Sequence, residues 1–511
     1  MVTASLLRIS AIGGLSLLTV LLAKLLHTTV HWWLRCRQLK RLVPEPAKSH
    51  WLRGHQPPAG PHAKSTYISY TRTCPRMFFY LAGPVAETVC AHHPDVISEV
   101  LQLDPPKIEL FGNLFRTWLG DGLLSLTGKR YDRAHKMIAT GFNPEMRRQY
   151  VGVFKEAASV MLDLWEEHGI GRSIEMGGYF NMLTFDMVLR CTMGAETNCQ
   201  THTDPDVPVL RYSNALHDII TLTFQRFTQP WLYLDFVFLN SPAGWRFKKL
   251  LTQTRPFAEQ LINERRALMK EKSESNGITA DFDEHPHDML DILLTSTDEQ
   301  SMNLSNADIM AHVETLLAVG HHTTSYTLHW AMHYLSQHQH VQERCRQEVH
   351  TVLEACGGID ELASQHLTKL VYLNQTLLEI LRVTVTGGNL SREFPNGCTV
   401  DGITFPAGTR FLVNVLGLHH NEQVWTDPET FDPDRFAPGA QPRSRFAFLP
   451  FGYGRHMCIG KSFTMDEMKV TLSMILARFR LMPDPDATLP VWKESIVAQP
   501  DPDVRILLEA V

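Results

Sequence analysis

No run of like charge interrupts the 511 residues, in which 48 lysines and arginines stand against 54 aspartates and glutamates for a net of −6 spread along the chain. That dispersal excludes both a basic nucleic-acid face and a disordered acidic tail. Paired CxxC knuckles are also missing. The nine cysteines, Cys36, Cys74, Cys90, Cys191, Cys199, Cys345, Cys356, Cys398 and Cys458, are odd in number and scattered. Such spacing excludes a disulfide framework and a cysteine zinc site, and leaves most of them as reduced core residues. No internal repeat is present, and strand signals are few. The N-x-S/T triplets at Asn303, Asn374 and Asn389 fall in segments patterned as helix or core, so they are expected to go unused.

What is present is enough length and apolar content (44%) for one large core. An uncharged run between Arg8 and Lys24 continues into Trp32, Trp33 and Leu34, long enough with a snorkelling Lys24 to cross a bilayer. A cleaved signal peptide is the alternative, but no small-x-small site precedes the basic cluster, and the tryptophan pair suits a membrane interface. Arg35, Arg37, Lys40 and Arg41 follow the span, which places the rest of the chain on the cytosolic side. Residues 1–43 therefore read as an N-terminal transmembrane helix with its basic flank, and 44–511 as the catalytic domain behind a proline-punctuated hinge.

Within that domain, i, i+3, i+4 patterns predict helices over 92–103, 129–140, 147–168, 180–194, 245–272, 306–336, 340–355 and 369–383. Strands are expected near Tyr67–Tyr70, Met77–Leu81, Thr399–Thr404 and Phe411–Val415, and a polar surface connector over 273–288. The fold class is mainly α, one large domain with small β-sheets.

The chemistry concentrates in "FAFLPFGYGRHMCIGKSFTMDEMKV", residues 446–470, where Phe451, Gly454 and Gly460 surround a single cysteine, Cys458. A lone thiolate without zinc-spaced partners points to haem ligation or to nucleophilic catalysis. The glycines permit a tight turn and close approach to a flat ligand, and amides after the cysteine can hydrogen-bond its sulfur. This F-x-x-G-x-[RH]-x-C-x-G arrangement resembles the proximal loop of the cytochrome P-450 superfamily, in which the thiolate is the axial iron ligand. Upstream, Glu379 and Arg382 in "LLEILRV" and Arg435 in "FDPDRF" resemble the E-x-x-R and P-E-R-F motifs, whose charged triad locks the core behind the haem. Ser305 and Asp308 cap a helix that carries "AVGHHTTS", similar to A-G-x-[DE]-T-T. That match assigns Thr323 to holding water on the oxygen side, with Gly320 expected to loosen the helix there.

The resemblance is closest to family 4, the fatty-acid omega-hydroxylases, through stretches such as "WLGDGLLSLTGKRYDRAHKMI", "HVQERCRQEV" and "LGLHHNEQVWTDPETFDPDRFAPG". It implies a haem-thiolate monooxygenase of the endoplasmic reticulum membrane that hydroxylates an unactivated C–H bond of a long-chain fatty acid or related lipid. Dioxygen and NADPH electrons would be used, the latter delivered by NADPH-cytochrome P-450 reductase with cytochrome b5 as a further donor. Departures are specific. Val319 stands where the family's glutamate can esterify a haem methyl, so heme b is expected to be non-covalent. His322 replaces the acid before Thr323, and is expected to share proton delivery with it. Two propionate-binding positions are His135 and His456, and Arg392 is the third, with Arg455 able to substitute. Val385 and Thr386 replace the family's proline pair. Val319 and Leu316 are candidates to line the substrate channel, and substrate choice is expected to rest on loops around 104–127 and 207–240. Oxidation of a sterol or foreign compound, or peroxide rearrangement without reductase electrons, are the rival readings.

Overall fold

The structure, a computed structural model, describes residues 23, 24, 26–50, 54–56, 62–82, 86–275, 288–296 and 304–511. The sequon Asn303, most of the 273–288 connector and most of the expected transmembrane span lie outside those residues. Among the described residues no helix is long and apolar enough to cross a membrane.

The central helix, Asn306–Gln337, starts where Ser305 accepts a hydrogen bond from the Asp308 amide at 3.1 Å, the expected cap. It runs unbroken through Gly320, which corrects the expectation of a loosened turn. The glycine serves packing instead. A Cβ there would lie 3.0 Å from Val188 on the neighbouring Met176–Val188 helix, so the missing side chain lets the two helices touch.

Around this helix pack Pro144–His168, Pro208–Thr228, Pro242–Ser275, Gln339–Cys356, Val371–Thr384 and Lys461–Arg478. The Lys461–Arg478 helix is fixed by Phe463, whose ring meets Phe142, Tyr150 and Phe154 edge-on at 5.7, 5.6 and 5.1 Å. Burying such a ring contributes about 1.5–3 kcal/mol, and the edge-on pairs add to it. Cys458 precedes this helix, so the packing also sets where the thiol stands.

The sheets among the described residues are small, of two to four strands. The largest has the order Met77–Ala82, Ala86–Ala91, Thr409–Val413, Leu390–Phe394, in which Ala91 pairs in parallel with Val413. Three expectations need correction. Tyr67–Tyr70 lies inside a helix, Ala63–Thr73, because its alternation spans too few residues to outweigh the flanking helical pattern. Thr399–Thr404 is a hairpin rather than one strand: Cys398–Val400 pairs with Ile403–Phe405 across Asp401 and Gly402, both at positive φ. The substrate-choice segments are mainly helical, as Glu109–Leu119 and Pro208–Thr228.

One buried acid makes the fold pH-sensitive. Burial pushes the Glu314 carboxyl up to about 7, with Arg255 opposing and Glu259 reinforcing the shift, and its Oε1 has no partner among the described residues. Between its unfolded value and 7 the folded chain holds the proton better than the unfolded one, so this contribution is complete below the unfolded value and is lost as pH rises through that window. Glu314→Gln should therefore be more stable than the parent at pH 8 by on the order of 2 kcal/mol, and indistinguishable from it near pH 4. Urea midpoints at the two pH values check this; equal midpoints at pH 8 would show that the charge is solvated.

Candidate functional site

The loop that carries Cys458 is built by backbone geometry. Gly452 and Gly454 adopt positive φ (74° and 67°), which lets the chain double back so that the Cys458 amide donates to the Phe451 carbonyl at 2.7 Å. Gly460 behaves differently from expectation: its φ is −84° and a Cβ there would lie 4.0 Å from the Cys458 sulfur, an ordinary contact. Its contribution is its amide, which together with that of Lys461 donates to the sulfur. Burial raises the thiol's pKa, and those two amides and the Lys461 charge oppose the rise. The side chain is hemmed in by protein but accessible on one side.

Behind the loop, Arg382 meets Glu379 in a two-pronged pair, Nε to Oε2 and Nη2 to Oε1, both 2.7 Å, with both side chains fully buried. Arg435 Nε lies 3.4 Å from Glu379 Oε1, and the Asp432 amide donates to that oxygen at 2.9 Å. Arg382 further donates to the carbonyls of His419, Pro428 and Thr430. The three motif residues thus come together.

A second cluster gathers cations with too few anions. Arg392 is only 4% exposed, yet its one hydrogen bond among the described residues goes to the neighbouring Ser391 carbonyl at 2.8 Å. Lys107 Nζ sits 4.4 Å over the Tyr131 ring, and burial and Arg392 lower its pKa to about 8. The rings of Tyr131 and His456 lie 4.4 Å apart, and those of Tyr131 and His135 5.5 Å apart. Burial, then Lys107 and Arg392, depress His456 to about 3, and its buried Nδ1 has no partner among the described residues. His135 is held below the ordinary imidazole value, by burial before Lys107. Arg455 turns away from this group to bind Asp132 and, at 3.6 Å, Asp104, so it does not stand in for His456. Lys107 was not foreseen. Its only signal is a single cation between two acids in "DPPKIEL". Buried Arg392, with the half-buried Lys107, His135 and His456 around it, suits the two carboxylates of a haem, and a sulfur flanked by amides suits its iron.

On the central helix, Thr323 Oγ1 donates to the Val319 carbonyl at 3.2 Å. His322 is buried, its ring 3.9 Å from that of His321, and it lies well below the usual imidazole pKa because of burial first, then His321 and His217. It borders a cleft of about 620 Å³ that also reaches Asn181 and His217. Val319 is 39% exposed within an otherwise buried stretch, whereas Leu316 is buried in the core cluster that also holds Trp118 and Ile220. Neither borders the main apolar cavity of about 440 Å³. That cavity is walled by Phe111, Phe115, Phe224 and Phe227 and extends to Lys107 and Arg392. The phenylalanines come from the two segments on which substrate choice was expected to rest.

The family model described as Cytochrome P450 matches residues 44–507. The chain belongs to the cytochrome P450 family. It is similar to cytochrome P450 4F2 of Homo sapiens, 32% identical over 473 residues that cover 91% of this chain and 89% of that protein. Leukotriene-B4 omega-hydroxylase 3 of Mus musculus is 32% identical over 452 residues, covering 86% and 84%. The fold is shared with the crystal structure of a cytochrome P450DA heme domain, with TM-score 0.77, 23% identity, and coverage of 92% and 98%. This P450 is accordingly a haem-dependent monooxygenase with a cysteine thiolate ligand, and it receives electrons from a redox partner.

Proposed function

We propose that this P450 hydroxylates an unactivated C–H bond of a long-chain fatty acid or related lipid. The observation that carries the reading is the apolar cavity, whose walls include four phenylalanines, Phe111, Phe115, Phe224 and Phe227. Relatives whose printed names include a leukotriene omega-hydroxylase support it. The bound haem supplies oxygen activation, and a thiolate ligand favours that chemistry.

Cys458 is the ligand, its sulfur held by the Gly460 and Lys461 amides. His135, His456, Arg392 and Lys107 hold the propionates, Arg392 as a fixed charge already enclosed by protein and Lys107 as a half-buried ammonium. With Val319 in place of a glutamate no ester forms, so haem should leave the denatured protein in acidified organic solvent; haem retained on the polypeptide contradicts this. Residues 1–43 anchor the chain in the endoplasmic reticulum membrane with the catalytic domain in the cytosol. NADPH-cytochrome P-450 reductase, with cytochrome b5 as a second donor, then supplies electrons.

Thr323 orients water on the oxygen side while His322 passes protons inward from the cleft shared with His217. A buried imidazole that stays neutral must exchange tautomers to relay, whereas a carboxylate needs only to rotate. His322→Asp should therefore raise product formed per NADPH by about two- to tenfold and lower hydrogen peroxide release, with substrate affinity little changed. Unchanged or poorer coupling in a folded, haem-loaded variant would favour the peroxide-rearrangement reading. The reading as a whole is tested by incubating the purified protein, reductase and NADPH with a lipid panel. Oxygenated product that requires both reductase and NADPH is expected. Product formed only from added lipid peroxides, with no NADPH consumed, overturns it.

A further inference from the structure

Away from the cation cluster, the same cavity is bordered by Glu494. Its Oε1 accepts a hydrogen bond from the Tyr67 hydroxyl at 2.9 Å, and Tyr80 stands next to Tyr67. Among the described residues Glu494 takes part in no ion pair, and its second oxygen has no donor. Lys493, the adjacent cation, is directed to Asp501 at 3.3 Å. A carboxyl group with one satisfied oxygen and one open oxygen, bordering an apolar cavity, is an acceptor accessible to a ligand there.

From this geometry we infer that Glu494 selects lipids whose polar end carries an N–H or O–H donor, such as an amide or alcohol, and discriminates against free carboxylates. The inference rests on the lipid-hydroxylase reading and narrows it. A second carboxylate beside Glu494 meets a like charge, or must bring a proton to be shared, whereas an amide or hydroxyl hydrogen completes the open oxygen without either. Burial holds the Glu494 carboxyl above its ordinary range, and the Tyr67 hydroxyl works against that shift. A donor on the ligand adds to the pull from Tyr67. Lys107 and Arg392 also border the cavity, and a fatty carboxylate directed to them would compete. In the proposed function those two charges are committed to the haem propionates, which leaves Glu494 to meet the substrate's head.

The test uses haem-loaded full-length protein and the change in haem absorbance on ligand binding, which reports affinity without turnover. Hexadecanamide and hexadecanol are expected to bind at least about tenfold more tightly than hexadecanoate near neutral pH, the discrimination expected when one ligand satisfies a buried polar group and the other does not. Methyl hexadecanoate, uncharged but without a donor, should fall between them. Glu494→Gln keeps an acceptor for Tyr67 and removes the charge, so it should reduce the gap to about threefold or less, mainly through tighter hexadecanoate binding. Hexadecanoate binding as tightly as the amide in the parent overturns the inference while leaving the lipid reading in place. So does an unchanged ratio in a Glu494→Gln protein that retains its carbon monoxide band. No response to any of the four ligands in haem-loaded protein overturns both.

Discussion

Cys458→Ser should abolish the far red-shifted absorption band that a thiolate-ligated haem gives when reduced under carbon monoxide, and with it NADPH-dependent product formation. The effect should be complete rather than graded. A serine hydroxyl at this position is a far weaker donor to iron than sulfur, and it does not supply the electron density that favours oxygen activation. The surrounding loop should survive the change, because the Cys458 amide bond to the Phe451 carbonyl and the turns at Gly452 and Gly454 are backbone features. Circular dichroism should therefore match the parent while the band is missing. A variant that retains the thiolate band would move the ligand to another cysteine; of the eight others, six are buried and Cys356 and Cys398 partly so.

The second large effect lies behind the loop. Glu379→Ala should leave Arg382 and Arg435 as uncompensated charges in the core, at a cost of about 3–5 kcal/mol, and Arg382→Ala should cost about as much by stranding the carboxylate. The measured quantity is the urea midpoint of haem-loaded protein, along with the yield of protein carrying haem. Glu379→Gln separates charge from shape, since it keeps an acceptor for the Asp432 amide, bonded at 2.9 Å, but loses the ionic component. It should fall between the parent and the alanine variant. A loss below about 1 kcal/mol for Glu379→Ala would place the pair in the range of exposed ion pairs and contradict its complete burial.

Much of the architecture was legible because its signals are long. The 306–336 pattern appears as Asn306–Gln337, and the 340–355 pattern as Gln339–Cys356. Short signals misled. Four residues at Tyr67–Tyr70 could not reveal that Tyr67 and Tyr70 project from a helix, and the Asp401-Gly402 reversal was hidden inside a run read as one strand. At the site, motif spacing located Cys458, Glu379, Arg382 and Arg435, because each is tied to local backbone geometry. Lys107 and Glu494 escaped notice for the opposite reason. Each is an ordinary charge among others in a short segment, Lys107 between Asp104 and Glu109 and Glu494 beside Lys493, and only the fold reveals that both border one cavity. The direction of Arg455 was equally unreadable, since it depends on Asp132 and Asp104, distant in sequence.

The parallel pairing of Ala86–Ala91 with Thr409–Val413 has a consequence for synthesis. Ala91 leaves the ribosome roughly 320 residues before its partner Val413, a delay of tens of seconds at ordinary elongation rates. During that interval the Met77–Ala91 hairpin exposes an unpaired edge on the nascent chain, and a two-stranded unit has little stability of its own. Chaperone occupancy on translating ribosomes should therefore rise soon after this hairpin emerges and persist until the 409–413 segment has followed it out.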